Sequence, residues 1–218
     1  MKRTSIGAVL AVLGTSLAFA TAAHAVTITI GGAPTASSGE HSTVAGVTHV
    51  NFDDPLPSGW AITGDMAIVE GSVEGHYAAP PNYGENANTS WYLTVPSKQS
   101  SGTATISLDG SYNYYGLYWG SIDAYNTLSF LDGDIEVFSI TGSQAAALVP
   151  TQADGNQSLA AYFNFFDLPQ FDTVRLSSTS YAFESDNHAF GNVPVPATAW
   201  LFALGLLGLA ARRCGRAA

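Results

Sequence analysis

Residues 127–140 read TLSFLDGDIEVFSI, and the fold class turns on them. Two runs rich in β-branched and aromatic side chains, TLSFL and IEVFSI, flank Asp132-Gly133-Asp134. A short acidic break whose glycine can take positive φ is what a β-hairpin turn requires. Upstream, TATISL (103–108) sets Ala104, Ile106 and Leu108 against Thr103, Thr105 and Ser107. This period of two puts an apolar row on one face of a strand and hydroxyls on the other. GVTHVNF, MAIVE, SWYLTV, YNYYGLYW, AYFNFF and FDTVRL have the same strand-forming character. Helix is expected only in GSQAAALV (142–149), as a turn or two carried by alanine. About ten short strands broken by Gly, Asn, Asp and Pro predict an all-β fold. A jelly-roll-like β-sandwich is the expected architecture, with a barrel as the alternative and a C-terminal hydrophobic helix appended. No fixed-period repeat points to a propeller or solenoid.

The charge is lopsided. Residues 26–192 hold all 17 acidic residues of the chain and only Lys98 and Arg175 as basic ones. Such a surface repels phosphate backbones, which excludes nucleic acid as a partner. The single cysteine, Cys214, lies outside this section, so stability must come from a hydrophobic core without disulfides. One domain is expected at 46–190. It is preceded by a flexible lead or first strand at 26–45, where GGAPTASSGEHSTVA (31–45) is small and polar.

Both ends carry addresses. Lys2 and Arg3 precede an apolar run from Ile6 to Ala20, and Ala23 and Ala25 then occupy the small-residue positions of a cleavage site. Residues 1–25 therefore read as a secretory signal peptide. Residues 193–218 read VPVPATAWLFALGLLGLAARRCGRAA, with a fifteen-residue stretch from Ala197 to Ala211 that is apolar but for Thr198. As a helix these would span about 22 Å, short against a bilayer core of roughly 30 Å. Arg212, Arg213 and Arg216 would hold the far end on the cytoplasmic side. Pro194 and Pro196 keep the approach extended, a form that a processing enzyme can bind.

The tail at 191–218 resembles the PEP-CTERM sorting signal of exported bacterial proteins. The likeness rests on Val193, Pro194, Val195 and Pro196, then Trp200 in the apolar helix, then Arg212 and Arg213. Val195 stands where glutamate is usual in the namesake motif. The resemblance implies processing by an exosortase, a membrane cysteine protease. It also implies a transient inner-membrane tether followed by placement at the cell surface or in the extracellular matrix. A permanent membrane anchor is the alternative. Tails of this kind are sometimes labelled an ice-binding-protein C-terminal domain, a label that carries no ice binding here. YYGLYWGSIDAYNTLSFLDGD (114–134), with FDD at 52–54 and FESDN at 183–187, is similar to one group of exosortase-dependent surface proteins. That likeness implies a β-rich extracellular domain and brings no activity.

Three constellations bear on chemistry. Aromatic residues concentrate in two strand segments, and sugar rings pack their C–H faces against aromatic planes. Trp91, Tyr115 and Trp119 are the candidates for carbohydrate binding, although alternation sends about half of such side chains into a core. Asp53, Asp54, Glu184 and Asp186 lie near opposite ends of the domain sequence, which jelly rolls can bring together. They are the candidates for a structural calcium, a hard cation that takes six to eight oxygen ligands; no other cofactor is expected. Asp132, Asp134 and Glu136, spaced by two, are similar to the acidic triplet of laminarinase-type glycosidases. A solvent-facing hairpin is the favoured reading of those three. Gly-x-Ser-x-Gly, His-Glu-x-x-His and phosphate-cradling glycine loops do not occur. His41, His49, His76 and His188 lack ligand spacing, which argues against zinc. The expected function is that of a non-enzymatic, surface-sorted protein of the extracellular matrix that binds polysaccharide. A glycan-active hydrolase on the same scaffold is the alternative.

Overall fold

The computed structural model describes residues 25–81, 88–149 and 159–194. Among these residues the chain is almost wholly β. Its strands are β1 (Thr27–Ile30), β2 (Ala33–Pro34), β3 (Glu40–His41), β4 (Thr48–Val50), β5 (Ala61–Gly64), β6 (Ala67–Val69) and β7 (Tyr92–Val95). They continue with β8 (Gly102–Tyr112), β9 (Tyr114–Gly120), β10 (Asn126–Asp132), β11 (Ile135–Thr141), β12 (Ala161–Phe166), β13 (Phe171–Ser178) and β14 (Phe183–Gly191). One helical turn, α1 (Gly142–Ala146), follows β11 where alanine allowed it. Thr141 Oγ1 accepts from the Gln144 amide while Gln144 Oε1 accepts from the Thr141 amide, a closed capping box.

Every pairing is antiparallel. A seven-stranded sheet runs β1-β12-β9-β14-β7-β6, with β4 also paired to β14, and a five-stranded sheet runs β11-β10-β13-β8-β5. β2 and β3 form a separate ribbon. The β10–β11 hairpin forms as read, with Leu128 opposite Ile140 and Gly133 at φ +57° in its turn. A bulge between Phe130 and Leu131 interrupts its ladder.

The two sheets pack face to face through the rows that alternation set aside. Tyr115, Leu117, Trp119, Phe163, Phe165 and Phe183 of the larger sheet meet Ala104, Ile106, Leu128, Phe130, Val174 and Leu176 of the smaller. The Tyr115 ring lies 5.5 Å from Phe130 and 6.0 Å from Phe171, both edge-on, the arrangement aromatic quadrupoles favour. Each buried Leu, Ile or Phe is worth roughly 1.5–3 kcal/mol. This layer is therefore the stability source that a cysteine-free domain needs.

The other face of the large sheet is not open to solvent. Tyr92, Tyr114, Tyr118, Tyr162, Glu184 and Asp186 turn outward there and are nonetheless buried. The small polar stretch 31–45 is their cover, so first strand and ribbon replace a flexible lead. β1 pairs with β12, and Asn187 Nδ2 donates to the Ser38 and Glu40 carbonyls of the ribbon. Gly39 lies flat on the Tyr118 ring: a Cβ there would sit 2.1 Å from it, and φ is +78°. Residues 71–81 complete the cover, with the Tyr92 and Tyr118 hydroxyls donating to the Gly71 and Pro81 carbonyls. Among the described residues no helix is long and apolar enough to cross a membrane. The signal peptide at 1–25 and the hydrophobic helix at 197–211 fall, but for Ala25, outside the described residues.

Candidate functional site

β14 carries the chemistry. It lies between β9 and β7 in the large sheet, and its sequence FESDNHAFG places polar side chains on both faces of a strand buried along its whole length. Asn187 has φ +49°, and the register with β9 shifts between Asp186 and Ala189. That bulge turns Ser185 and His188 to the core and leaves Glu184 and Asp186 on the covered face.

His188 is fully buried among Phe52, Trp60 and Tyr115. Its Nδ1 is 2.7 Å from the Tyr115 hydroxyl and its Nε2 is 2.9 Å from Ser185 Oγ. Burial pulls its pKa down to about 3, so it is a neutral core histidine with both nitrogens satisfied.

Asp186 accepts from the Asn187 amide at 2.6 Å. Its Oδ2 is 2.9 Å from the Ser90 hydroxyl, which is also 2.7 Å from Asn88 Oδ1. Ser90 has one proton for two acceptors. A protonated Asp186 resolves this by donating to Ser90, which donates on to Asn88. Burial, with the charge of Asp53 nearby, pushes Asp186 up to about 8, in agreement with that chain.

Glu184 is 1 % exposed and lies in a cleft of about 590 Å³. The walls come from residues 72–78, from Ser121, Asp123 and Tyr125, and from Ser180–Ala182. Glu184 Oε1 accepts from the Ala78 amide at 2.9 Å. Its Oε2 and Ser121 Oγ are both buried, and the Ser121 hydroxyl lies against the carboxyl and lowers its pKa against the effect of burial. Burial, reinforced by Asp123, pushes Glu184 up to about 7. Asp123 is itself raised by burial, against the Tyr125 hydroxyl 2.8 Å from its Oδ2. On the cleft wall the His76 and Tyr181 rings stand 4.9 Å apart at 59°. The cleft thus combines aromatic surface with carboxylate and hydroxyl groups, which suits a hydroxyl-rich ligand. A second cleft, of about 510 Å³, holds His41, His49, Asn51 and Asp53. The two histidine rings lie 6.2 Å apart, and burial together with His41 holds His49 below its ordinary pKa.

The residues singled out from sequence are scattered among these places. Trp119 and Tyr115 are wholly buried: Trp119 stacks on Phe183 at 4.4 Å, and Tyr115 bonds to His188. Neither presents a face to a sugar, because odd-numbered positions of β9 point between the sheets. Trp91 is 44 % exposed. Asp53 accepts from the Trp91 amide at 2.9 Å, and Asp54 from Asn51 Nδ2 at 2.9 Å. Glu184 belongs to the other cleft, so the four acids do not converge. Among the described residues no group of three or more His, Cys, Asp or Glu is placed to hold a metal. Asp132, Asp134 and Glu136 lie exposed at the hairpin tip, where Glu136 accepts from Ser139 at 2.8 Å. Sequence reasoning missed Ser121, Asp123 and Tyr181, which only the turn after β9 and the loop before β14 bring to Glu184.

The tail leaves the domain at a fixed point. The Asn113 side chain accepts from the Val193 amide at 2.7 Å and donates to the Val193 carbonyl at 2.9 Å. Asn192 Nδ2 donates to the Ser111 carbonyl at 3.1 Å. Val193 and Pro194 therefore start the strip beside Asn113 at the turn between β8 and β9, while Val195, Pro196, Trp200, Arg212 and Arg213 lie outside the described residues. Asn113→Ala removes both bonds and should speed exchange of the Val193 amide about tenfold, the worth of roughly 1–1.5 kcal/mol. Hydrogen-exchange mass spectrometry checks this; unchanged exchange would show that the strip is held by something else.

Residues 192–213 match the PEP-CTERM protein-sorting motif. No curated protein matches the chain. Among solved structures, a similar one is CpGH89CBM32-6 produced by Clostridium perfringens, at 11 % identity and a TM-score of 0.34 over 65 % of this chain and 98 % of that one. The strip that Asn113 holds against the domain is thus the head of a recognised export address, one that implies processing by an exosortase. The chain carries a PEP-CTERM protein-sorting motif at residues 192–213, which implies export and sorting to the cell surface.

Proposed function

We propose that this protein is a non-enzymatic component of the cell surface that holds extracellular polysaccharide in the cleft above Glu184. The observation that carries the reading is the pairing of the His76–Tyr181 aromatic wall with the Glu184, Asp123 and Ser121 oxygens across one open cleft. Aromatic faces pack against the C–H faces of a pyranose, and carboxylates accept from its hydroxyls. The acidic surface favours a neutral glycan over an anionic one. Affinity electrophoresis against neutral and acidic polysaccharides tests this. Retardation by a neutral polymer should fall at least about fivefold in Tyr181→Ala and in His76→Ala, the cost of one lost ring contact of about 1 kcal/mol. Trp91→Ala should leave it unchanged. Loss on Trp91→Ala alone would move the binding face to the surface around Trp91.

One observation favours the hydrolase alternative. Glu184, raised toward 7, stands beside a second carboxyl at Asp123, the kind of pair that acid–base catalysis on a glycosidic bond employs. The non-enzymatic reading expects no reducing sugar from a broad glucan panel. Release that disappears in Glu184→Gln would replace it with the hydrolase.

A further inference from the structure

The ladder between β14 and β9 ends with Gly191 opposite Tyr114, and the sorting motif begins at residue 192. Past that last pair the side chain of Asn113 takes the ladder's place. Its Oδ1 accepts from the Val193 amide and its Nδ2 donates to the Val193 carbonyl, the acceptor and donor that a paired strand would offer. Asn113 is itself fixed through its backbone. Its amide donates to the Gly191 carbonyl at 3.3 Å, and its carbonyl accepts from the Leu168 amide at 3.1 Å. The bond from Asn192 to the Ser111 carbonyl flanks this contact. The head of the sorting motif is thus folded into the domain.

The two prolines give this hold a consequence. Pro194 and Pro196 have no N–H, so within 193–196 only Val193 and Val195 can donate from the main chain. Extended peptides are recognised largely through main-chain N–H and C=O groups, and Asn113 engages both of those of Val193. The reach is short as well. Fully extended, the chain from Pro194 to Ala197, where the apolar stretch begins, spans at most about 11 Å. We propose that Asn113 is a latch on the sorting motif: it withholds the Val193 main chain, and the processing enzyme takes the motif head only when these bonds open. Opening frees residues 192 and 193, which lengthens the strip by about 7 Å and releases the Val193 donor and acceptor. The apparent affinity of the enzyme is lowered by the fraction of time that the latch is open. Removing the two bonds raises that fraction about tenfold. The inference rests on the sorting motif and not on the glycan reading.

The test uses the full chain in cells that carry the processing enzyme. Pulse-chase labelling follows conversion of the membrane-held precursor to the cut form. Exchange of the Val193 amide is measured on the same chain in mild detergent. Asn113→Ala should shorten the precursor's half-life about three- to tenfold, in step with faster exchange. In solubilised membranes the gain should fall on KM and leave kcat unchanged. Asn113→Asp keeps the acceptor for the Val193 amide and loses the donor to its carbonyl, so it should lie between Asn113→Ala and the parent. Ile106→Val, between the sheets, should lower the melting temperature without changing the half-life, which separates release of the latch from general loosening. Asn192→Ala drops the flanking bond and gives the same reading at smaller amplitude should Asn113→Ala not fold. Faster exchange with unchanged processing overturns the latch. Slower processing overturns it by making Asn113 a presenter of the strip. Unchanged exchange in Asn113→Ala, or a parent chain that is never cut, overturns it as well.

Discussion

Deleting residues 195–218 is expected to move essentially all of the protein from the cell surface into the soluble fraction, with export unaffected. The leader read in residues 1–25 lies at the other end of the chain and is untouched by the cut. The deletion begins beyond Val193, so the Asn113 clamp and all of β14 remain. The shortened protein should therefore melt within about 1–2 °C of the parent domain, since every strand of the sandwich is kept. Fractionation followed by immunoblotting measures the relocation. Pro194→Ala with Pro196→Ala makes a finer cut at the same question. The apolar stretch and its arginines still insert, but helix can now extend outward through the strip. An uncut, membrane-held form should accumulate. Processing and sorting of that double variant like the parent would mean that the extended strip is not what the processing enzyme reads.

The second large effect expected is a stability maximum in mildly acid solution for the metal-free domain. A carboxyl whose folded pKa stands above its unfolded value keeps its proton longer in the folded chain, so stability falls as pH rises between the two values. Glu184, at about 7 from 4.5, and Asp186, at about 8 from 3.8, both act in this sense. Glu184 faces Asp123 and Asp186 faces Asp53, so each neighbouring charge adds to the effect of burial. His188 acts in the opposite sense. With a folded value of about 3 against 6.5, it contributes stability that is present above 6.5 and lost as pH falls toward 3. From pH 8 down to 7 Asp186 acts alone, Glu184 joins it below 7, and below 6.5 His188 opposes this pair until Glu184 drops out near 4.5. At about 1.4 kcal/mol per group per pH unit, the melting temperature in EDTA should be roughly 5–10 °C higher at pH 5.5 than at pH 8. Asp186→Asn retains a donor for Ser90, so it should raise the melting temperature at pH 8 and shrink the difference. A flat profile between pH 5.5 and 8 would refute the protonated Asp186–Ser90–Asn88 chain.

How far the sequence could be read depended on whether a strand announces itself locally. The TATISL run of β8 alternates because Ala104 and Ile106 meet the core while Thr103, Thr105 and Ser107 turn away from it, and β10 and β11 announce themselves by their β-branched and aromatic runs. The turn between β10 and β11 is legible in Asp132-Gly133-Asp134 for the same local reason. β14 hides, because FESDNHAFG has polar residues on both faces and a bulge at Asn187 that breaks the period of two. Read locally, its acids look solvated at strand ends, whereas they sit in the middle of a covered strand. Tyr115 and Trp119 mislead in the converse way: a run of aromatics does not say which alternate set faces inward.

The sequence by itself determined the all-β class, the cysteine-free core, the hairpin at 127–140 and the sorting tail. Each depends on residues close together in the chain, and the tail is a linear signal read by another protein. Tertiary structure alone decided that residues 31–45 cover a sheet instead of leading to one. It alone made Glu184 and Asp186 buried acids, and brought Ser121, Asp123, His76 and Tyr181 around one of them. Burial is set by which distant segments close over a face. Here those segments lie more than a hundred residues from β14, where no local pattern can record them.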